Sequence, residues 1–243
     1  MALNKLDHNT IKEKLHYLEE RIISSCERSG RKREDIELLA VSKFHPREVI
    51  EDAISSGITL FGENRIQEAA DKFSTENFPA FWDYHEQGRV KLHFIGSLQR
   101  NKARKAIALF DCIQSLDRDS LIDELGLLTS QRENPLMVLL EYHTAESSKS
   151  GYKTQEDLFR AADKVFSYPG LKAAGLMTMA PFTRDEKLIR GAFRKLYMSA
   201  MELEKRFPKS WPCLSMGMSG DFEIAIEEGS TMIRIGSSIF GAN

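Results

Sequence analysis

From Asn9 onward the apolar residues Ile11, Leu15, Leu18, Ile22 and Cys26 step by four, three, four and four. That is the stripe of an amphipathic helix, with Asn9 or Thr10 placed to cap it and Gly30 to end it. Beyond Gly30 the period changes. A short apolar, β-rich run, a polar or glycine-bearing turn and a helix-length charged stretch recur eight times. The runs are Glu37 to Phe44, Thr59 to Glu63, Lys91 to Ile95, Cys112 to Leu116, Leu136 to Tyr142, Leu171 to Met177, Cys213 to Met216 and Met232 to Ile235. Helices are predicted between them, among them Pro46 to Ser55, Asn101 to Leu109, Gln155 to Phe166, Asp185 to Phe207 and Asp221 to Glu228.

Strand followed by helix throughout implies a parallel sheet with right-handed crossovers. Eight such units in 243 residues fit an α/β fold of the (β/α)8 TIM-barrel type with an extra N-terminal helix. An open doubly wound sheet is the alternative. Most runs are continuously apolar rather than alternating, as strands covered on both faces require. No linker, internal repeat or low-complexity stretch divides the chain, so residues 1–243 are expected to form a single domain.

Composition narrows the partners. Thirty-four Lys and Arg against 36 Asp and Glu give a formal charge of −2, far from the basic balance that nucleic-acid binding calls for. Cys26, Cys112 and Cys213 are odd in number and lie outside any CxxC or Cys/His spacing, which argues against a disulfide framework and a structural metal site. Residues Met1 to Lys14 lack an apolar core and no later run approaches membrane-spanning length. The expectation is a cytoplasmic protein with no membrane or nucleic-acid partner, monomeric for want of a long exposed apolar stripe.

In parallel α/β folds the working residues gather at the C-terminal ends of the strands. The first run, LLAVSKFHP, carries Lys43 within apolar sequence. Such a lysine either extends to the barrel mouth to pair with a carboxylate such as Glu63, or reacts as a Schiff-base amine. The second run ends in Phe61-Gly62-Glu63-Asn64-Arg65 and the third carries His93 ahead of Gly96-Ser97. On residue type alone Asn64 reads as a turn residue more often than as a ligand contact, and His93, inside a strand, as a hydrogen-bonded core histidine. Arg100, Lys102, Arg104 and Lys105 read as a solvated helix face.

The last two runs say more. Ser215-Met216-Gly217-Met218-Ser219-Gly220-Asp221 leaves a strand and enters a helix, and Arg234-Ile235-Gly236-Ser237-Ser238 leaves the next strand through a second small-residue turn. Loops after the seventh and eighth strands of a barrel are a common phosphate site, because free backbone N–H groups converge there. Arg234 lies two residues before Gly236, on the same strand face, and can point into the mouth.

A lysine on the first strand, an Arg-x-Gly turn on the last and a Ser/Gly turn before it resemble the site of the pyridoxal phosphate homeostasis family, which is related to the N-terminal barrel of alanine racemase. The matching segments run in order along nearly the whole chain: AVSKFHP, FGENRIQEA, LHFIGSLQRNK, IQSLD, ESSKSGY, GLMTMAP, LSMGMSGDFEIAIEEGST and IRIGSSIFG. His143 stands where the family's asparagine is expected, and Leu92 where many relatives have tryptophan.

The resemblance implies that Lys43 holds pyridoxal 5′-phosphate as an internal aldimine with Asn64 beside it, and that Arg234 faces the pyridine nitrogen. Ser219, Gly236 and Ser237 would hold the phosphate, with Ser215 and Met216 lining the same wall. It implies a non-catalytic carrier acting in vitamin B6 homeostasis, with cofactor-requiring apoenzymes as its partners. An arginine at the ring nitrogen weakens the electron sink, and the chain ends at Asn243 without a second domain to supply an opposing base. Two other readings stand beside it. One is a racemase or lyase using Lys43 with a second base such as His93; the other is a barrel enzyme acting on phosphorylated substrates, which leaves Lys43 unexplained.

Overall fold

In the computed structural model, which describes residues 10–144, 150–208 and 211–241, the eight runs are eight parallel strands closed into a barrel in sequence order. They are β1 (Glu37–Val41), β2 (Leu60–Glu63), β3 (Lys91–Phe94), β4 (Cys112–Leu116), β5 (Leu136–Glu141), β6 (Leu171–Met177), β7 (Cys213–Ser215) and β8 (Met232–Ile235). Closure comes from β1 pairing with β8, Leu39 opposite Arg234. The open-sheet alternative is thereby excluded.

The helices are α1 (Ile11–Ser29), α2 (Arg47–Ser55), α3 (Ile66–Lys72), α4 (Pro79–Glu86), α5 (Ala103–Leu109), α6 (Asp119–Leu128), α7 (Gln155–Phe166), α8 (Glu186–Arg206), α9 (Phe222–Glu227) and α10 (Ser237–Phe240). Thr10 caps α1, the alternative Asn9 lying outside the described residues: the Thr10 hydroxyl accepts from the Glu13 amide while the Glu13 carboxylate accepts from the Thr10 amide. Such a reciprocal box satisfies two otherwise unpaired N–H groups. Gly30 ends the helix in the left-handed conformation. The buried stripe of α1, Ile11, Leu18, Ile22 and Cys26, faces the barrel's flank, where α1 packs on α9 and α10.

Strand residues alternate between two cores. Ala40, Phe61, Leu92, Phe94, Ile113, Val138, Leu140, Leu176, Ile233 and Ile235 point outward into the layer shared with the helices. Leu39, Val41, Leu60 and Met232 point into the barrel on one side, and Cys112, Leu139, Ala174 and Met177 on the other. This two-sided burial is why the strand runs read as continuously apolar. It also fixes which residues can reach the mouth, since the inward face of β1 continues from Leu39 and Val41 to residue 43.

Two expectations need correction here. β1 stops at Val41, so Lys43 stands two residues beyond the strand and is half-buried rather than embedded in it. The chain turns there because Phe44 takes a left-handed φ of 66°, a conformation an aromatic residue rarely adopts. Glu63 does not pair with Lys43. Its partner is Lys72 of α3, at 2.9 Å.

Candidate functional site

Inside the C-terminal half of the barrel a chain of hydrogen bonds runs from β8 to β3. The Arg234 guanidinium, 5% exposed, donates from Nη1 to Ser215 Oγ at 2.7 Å and from Nη2 to the Thr178 carbonyl at 2.8 Å. Ser215 Oγ donates to Gln114 Oε1 at 2.6 Å, and Gln114 Nε2 lies 2.9 Å from His93 Nδ1. Since Gln114 Nε2 is a donor, His93 Nδ1 must be the acceptor, which requires that nitrogen to be unprotonated. Burial is the dominant cause that lowers His93 to about 4. His93 is thus a satisfied core histidine beneath the mouth, and its place in the barrel interior does not favour the second base considered for a racemase.

Burial also lowers Arg234 to about 10, against the opposing pull of Asp221 and Glu141. It remains a cation at neutral pH. Glu141, at the end of β5 and 5% exposed, is raised chiefly by burial, against a hydrogen bond from Ser150 and the nearby Arg234. Asp221 is raised by burial as well, against its bond from the Met218 amide at 2.6 Å and the attraction of Arg234. A fixed cation is therefore held below the mouth by neutral acceptors, with carboxyl groups on either side.

Lys43 and Asn64 follow the ends of two neighbouring strands. Val41 lies opposite Gly62, and just beyond it the Ser42 amide donates to the Gly62 carbonyl at 3.0 Å and the Ser42 hydroxyl to Glu63 Oε1 at 2.8 Å, so both residues emerge at the same side of the mouth. Gly96 backs Asn64 so closely that a Cβ there would lie 2.1 Å from the Asn64 carbonyl oxygen. Only glycine permits that approach. Asn64 Oδ1 is buried and has no hydrogen-bond partner, and a buried acceptor left unpaired costs about 1–3 kcal/mol. Such a cost at a barrel mouth points to a ligand that supplies the donor.

The two small-residue turns stand on adjacent strands. Gly217 has φ of 96°, and a Cβ there would lie 2.6 Å from that of Ala225, so glycine is needed to turn the chain from β7 into α9. The amides of Ser219, Gly220 and Ser237 make no hydrogen bond among the described residues. Gly236 flanks the Val41 carbonyl, where a Cβ would sit at 3.3 Å. Unpaired amides and missing side chains form a cradle suited to an anion. Met216 contributes only backbone to this wall, because its side chain packs outward in the layer beneath the helices.

The residues named from the sequence thus fall into three groups around one mouth: Lys43 with Asn64, Arg234 with Ser215, and Ser219 with Gly236 and Ser237. Gln114, Glu141, Thr178 and Asp221 were not singled out. Gln114 had a legible signal, an amide in the run CIQSL two residues from Cys112 and so on the same strand face. Thr178 acts through its carbonyl, which leaves no signature in sequence. Residues 145–149, which carry most of ESSKSGY, lie outside the described residues. Together these groups fit a phosphorylated aromatic aldehyde: an amine, an unpaired amide oxygen, a buried cation and an open anion cradle.

Comparison with known proteins gives a consistent result. Residues 26–243 match the alanine racemase N-terminal domain. The chain is 37% identical to the pyridoxal phosphate homeostasis protein of Vibrio alginolyticus over 96% of its own length and 98% of that relative. It is 38% identical to the protein of that name from Escherichia coli K12, over 96% of this chain and 97% of the other. Among solved structures, PipY of Synechococcus elongatus with PLP bound superposes with a TM-score of 0.79 at 31% identity, covering 96% of this chain and 100% of that one.

Proposed function

The chain belongs to the alanine racemase N-terminal domain family and, within it, to the pyridoxal phosphate homeostasis proteins, and on that premise we propose that it binds pyridoxal 5′-phosphate covalently through Lys43 and serves vitamin B6 homeostasis as a carrier without committed turnover. The observation that carries the reading is the unpaired, buried Asn64 Oδ1 just past β2, next to the strand that Lys43 follows and at the same mouth as the unpaired amides of Ser219, Gly220 and Ser237. When bound, the cofactor supplies an aldehyde that condenses with a neutral amine and a ring that can draw electrons from the attached carbon.

In this reading Lys43 Nζ is the nucleophile, and Asn64 orients the group it attacks. Ser219, Gly236 and Ser237 hold the phosphate by backbone and hydroxyl donors. Arg234, held by Ser215 and Thr178, would offer a remaining N–H group to the ring nitrogen. A guanidinium that stays charged at neutral pH donates a hydrogen bond but does not give up its proton readily, so it keeps that nitrogen unprotonated and the electron sink weak. This supports retention over turnover. Recipient apoenzymes and a cytoplasmic location belong to the same reading.

The test is stoichiometric binding followed by absorbance and equilibrium dialysis. Wild type is expected to bind one pyridoxal 5′-phosphate per chain, to prefer it over pyridoxal, and to lose the visible band in Lys43→Ala. Equal affinity for the two vitamers would remove the anion site from the account. A visible band surviving in Lys43→Ala would remove the lysine.

A further inference from the structure

The two residues on either side of Lys43 are fixed by a charged cluster from another part of the fold. Lys72, near the end of α3, has a side chain 9% exposed. Its ammonium donates to the Ser42 carbonyl at 2.8 Å, to Glu63 Oε1 at 2.9 Å and to Glu68 Oε1 at 3.3 Å. All three of its protons are thereby used. Glu63 Oε1 also accepts from the Ser42 hydroxyl at 2.8 Å, and Glu68 Oε1 accepts from the Phe44 amide at 2.5 Å. The peptide before Lys43 and the peptide after it are thus tied to one ammonium, directly on one side and through Glu68 on the other.

This cluster is an expensive way to obtain stability. Glu63 is fully buried and its second oxygen has no partner, and buried ion clusters are often no better for stability than apolar residues of the same shape. What it does accomplish is geometric. Phe44 is held at a φ of 66°, where a non-glycine residue stays only if its surroundings impose it. The Arg65 guanidinium, 5.0 Å from the Phe44 ring centre, covers the ring outside the turn. The bend follows directly on Lys43, so the lysine is set at the start of a fixed turn.

We infer that Lys72, Glu63 and Glu68 are positioning residues for Lys43, with Glu68 clamping the Phe44 amide so that the lysine amine is presented to the cofactor aldehyde. The inference rests on the reading of Lys43 as the cofactor lysine. Spacing alone links Glu68 and Lys72 as a helical i, i+4 pair, but their grip on the turn comes only from the fold.

Removing Lys72 would strand two carboxylates and threatens folding, so the test uses Glu68, which is partly exposed. Glu68→Ala deletes the acceptor for the Phe44 amide, and Glu68→Gln keeps it. Each variant, with melting temperature verified, is mixed with pyridoxal 5′-phosphate to follow covalent capture, and separately with pyridoxine 5′-phosphate, which has no aldehyde. Glu68→Ala is expected to slow capture at least tenfold while binding pyridoxine 5′-phosphate within twofold of wild type, and Glu68→Gln to restore capture. Capture at the wild-type rate in Glu68→Ala, or equal weakening toward both vitamers, would overturn the positioning role. A wild type that fails to capture the aldehyde on Lys43 would overturn the functional reading and this inference with it.

Discussion

His93 offers a quantitative probe of the hydrogen-bond chain that holds Arg234. Its neutral form is enforced twice, by burial and by the Gln114 donor at 2.9 Å. Its pKa falls from 6.5 to about 4 on folding. Between those values the unfolded chain carries a proton that the folded chain does not, so acidification favours unfolding. The contribution is absent above pH 6.5 and complete below pH 4, and at about 1.4 kcal/mol per pH unit it amounts to about 3 kcal/mol. Glu63, Glu141 and Asp221 are shifted upward by burial and act with the opposite sign, gaining stability as pH falls. A difference measurement separates them. His93→Gln retains an acceptor for Gln114 but cannot titrate. Urea denaturation of both proteins from pH 7 to 4, followed by tryptophan fluorescence, should show the stability of wild type relative to His93→Gln fall by about 3 kcal/mol. A ring-proton midpoint for His93 near 6.5, or a difference independent of pH, would refute the chain as described.

Three further outcomes follow from the site. Ser219→Ala and Gly236→Val should weaken binding of pyridoxal 5′-phosphate severalfold while leaving pyridoxal nearly unaffected, because they touch the anion cradle and not the amine; equal losses for both vitamers in a dialysis titration would contradict this. Gly96→Ala should cost about 1–3 kcal/mol in denaturant stability and displace Asn64, since its Cβ would lie 2.1 Å from the Asn64 oxygen; a fully stable variant with unaltered cofactor binding would argue against the close approach. With alanine or serine the loaded protein should show only trace racemisation in overnight chiral chromatography. Turnover at about 1 s⁻¹ or faster, abolished by Lys43→Ala, would replace the carrier reading with an enzymatic one.

Much of this architecture is legible in the sequence because barrel strands are covered on both faces. Cys112–Leu116, Leu171–Met177 and Met232–Ile235 begin and end where their apolar runs do. At β1 the run overshoots, since LLAVSKF stays apolar on average while the chain turns at Phe44. Nothing in a phenylalanine signals a left-handed φ; the turn is imposed by Glu68 and Lys72, 24 and 30 residues away from the atoms they bind. The same holds for Glu63. Its nearness to Lys43 is correct in sequence terms, but β2 directs residue 63 outward toward α3, where Lys72 meets it. Short α3 and α10 carry too few turns for a helical period to stand out. Ser215, Arg234 and the two glycine turns are readable because small residues beside a lone arginine at strand ends are rare without a purpose. Gln114 is readable as a polar residue on an inward strand position, but its link to that arginine through Ser215, and the Thr178 carbonyl that the arginine also binds, become visible only when the strands close around one interior.

In the proposed function pyridoxal 5′-phosphate becomes attached to Lys43. Borohydride reduction of the loaded protein, followed by proteolysis and peptide mass mapping, addresses it directly. A single pyridoxyl group is expected on the peptide containing Lys43, absent when pyridoxal 5′-phosphate is omitted. A pyridoxyl group on Lys72, Lys153 or another lysine with Lys43 unmodified would contradict that attachment.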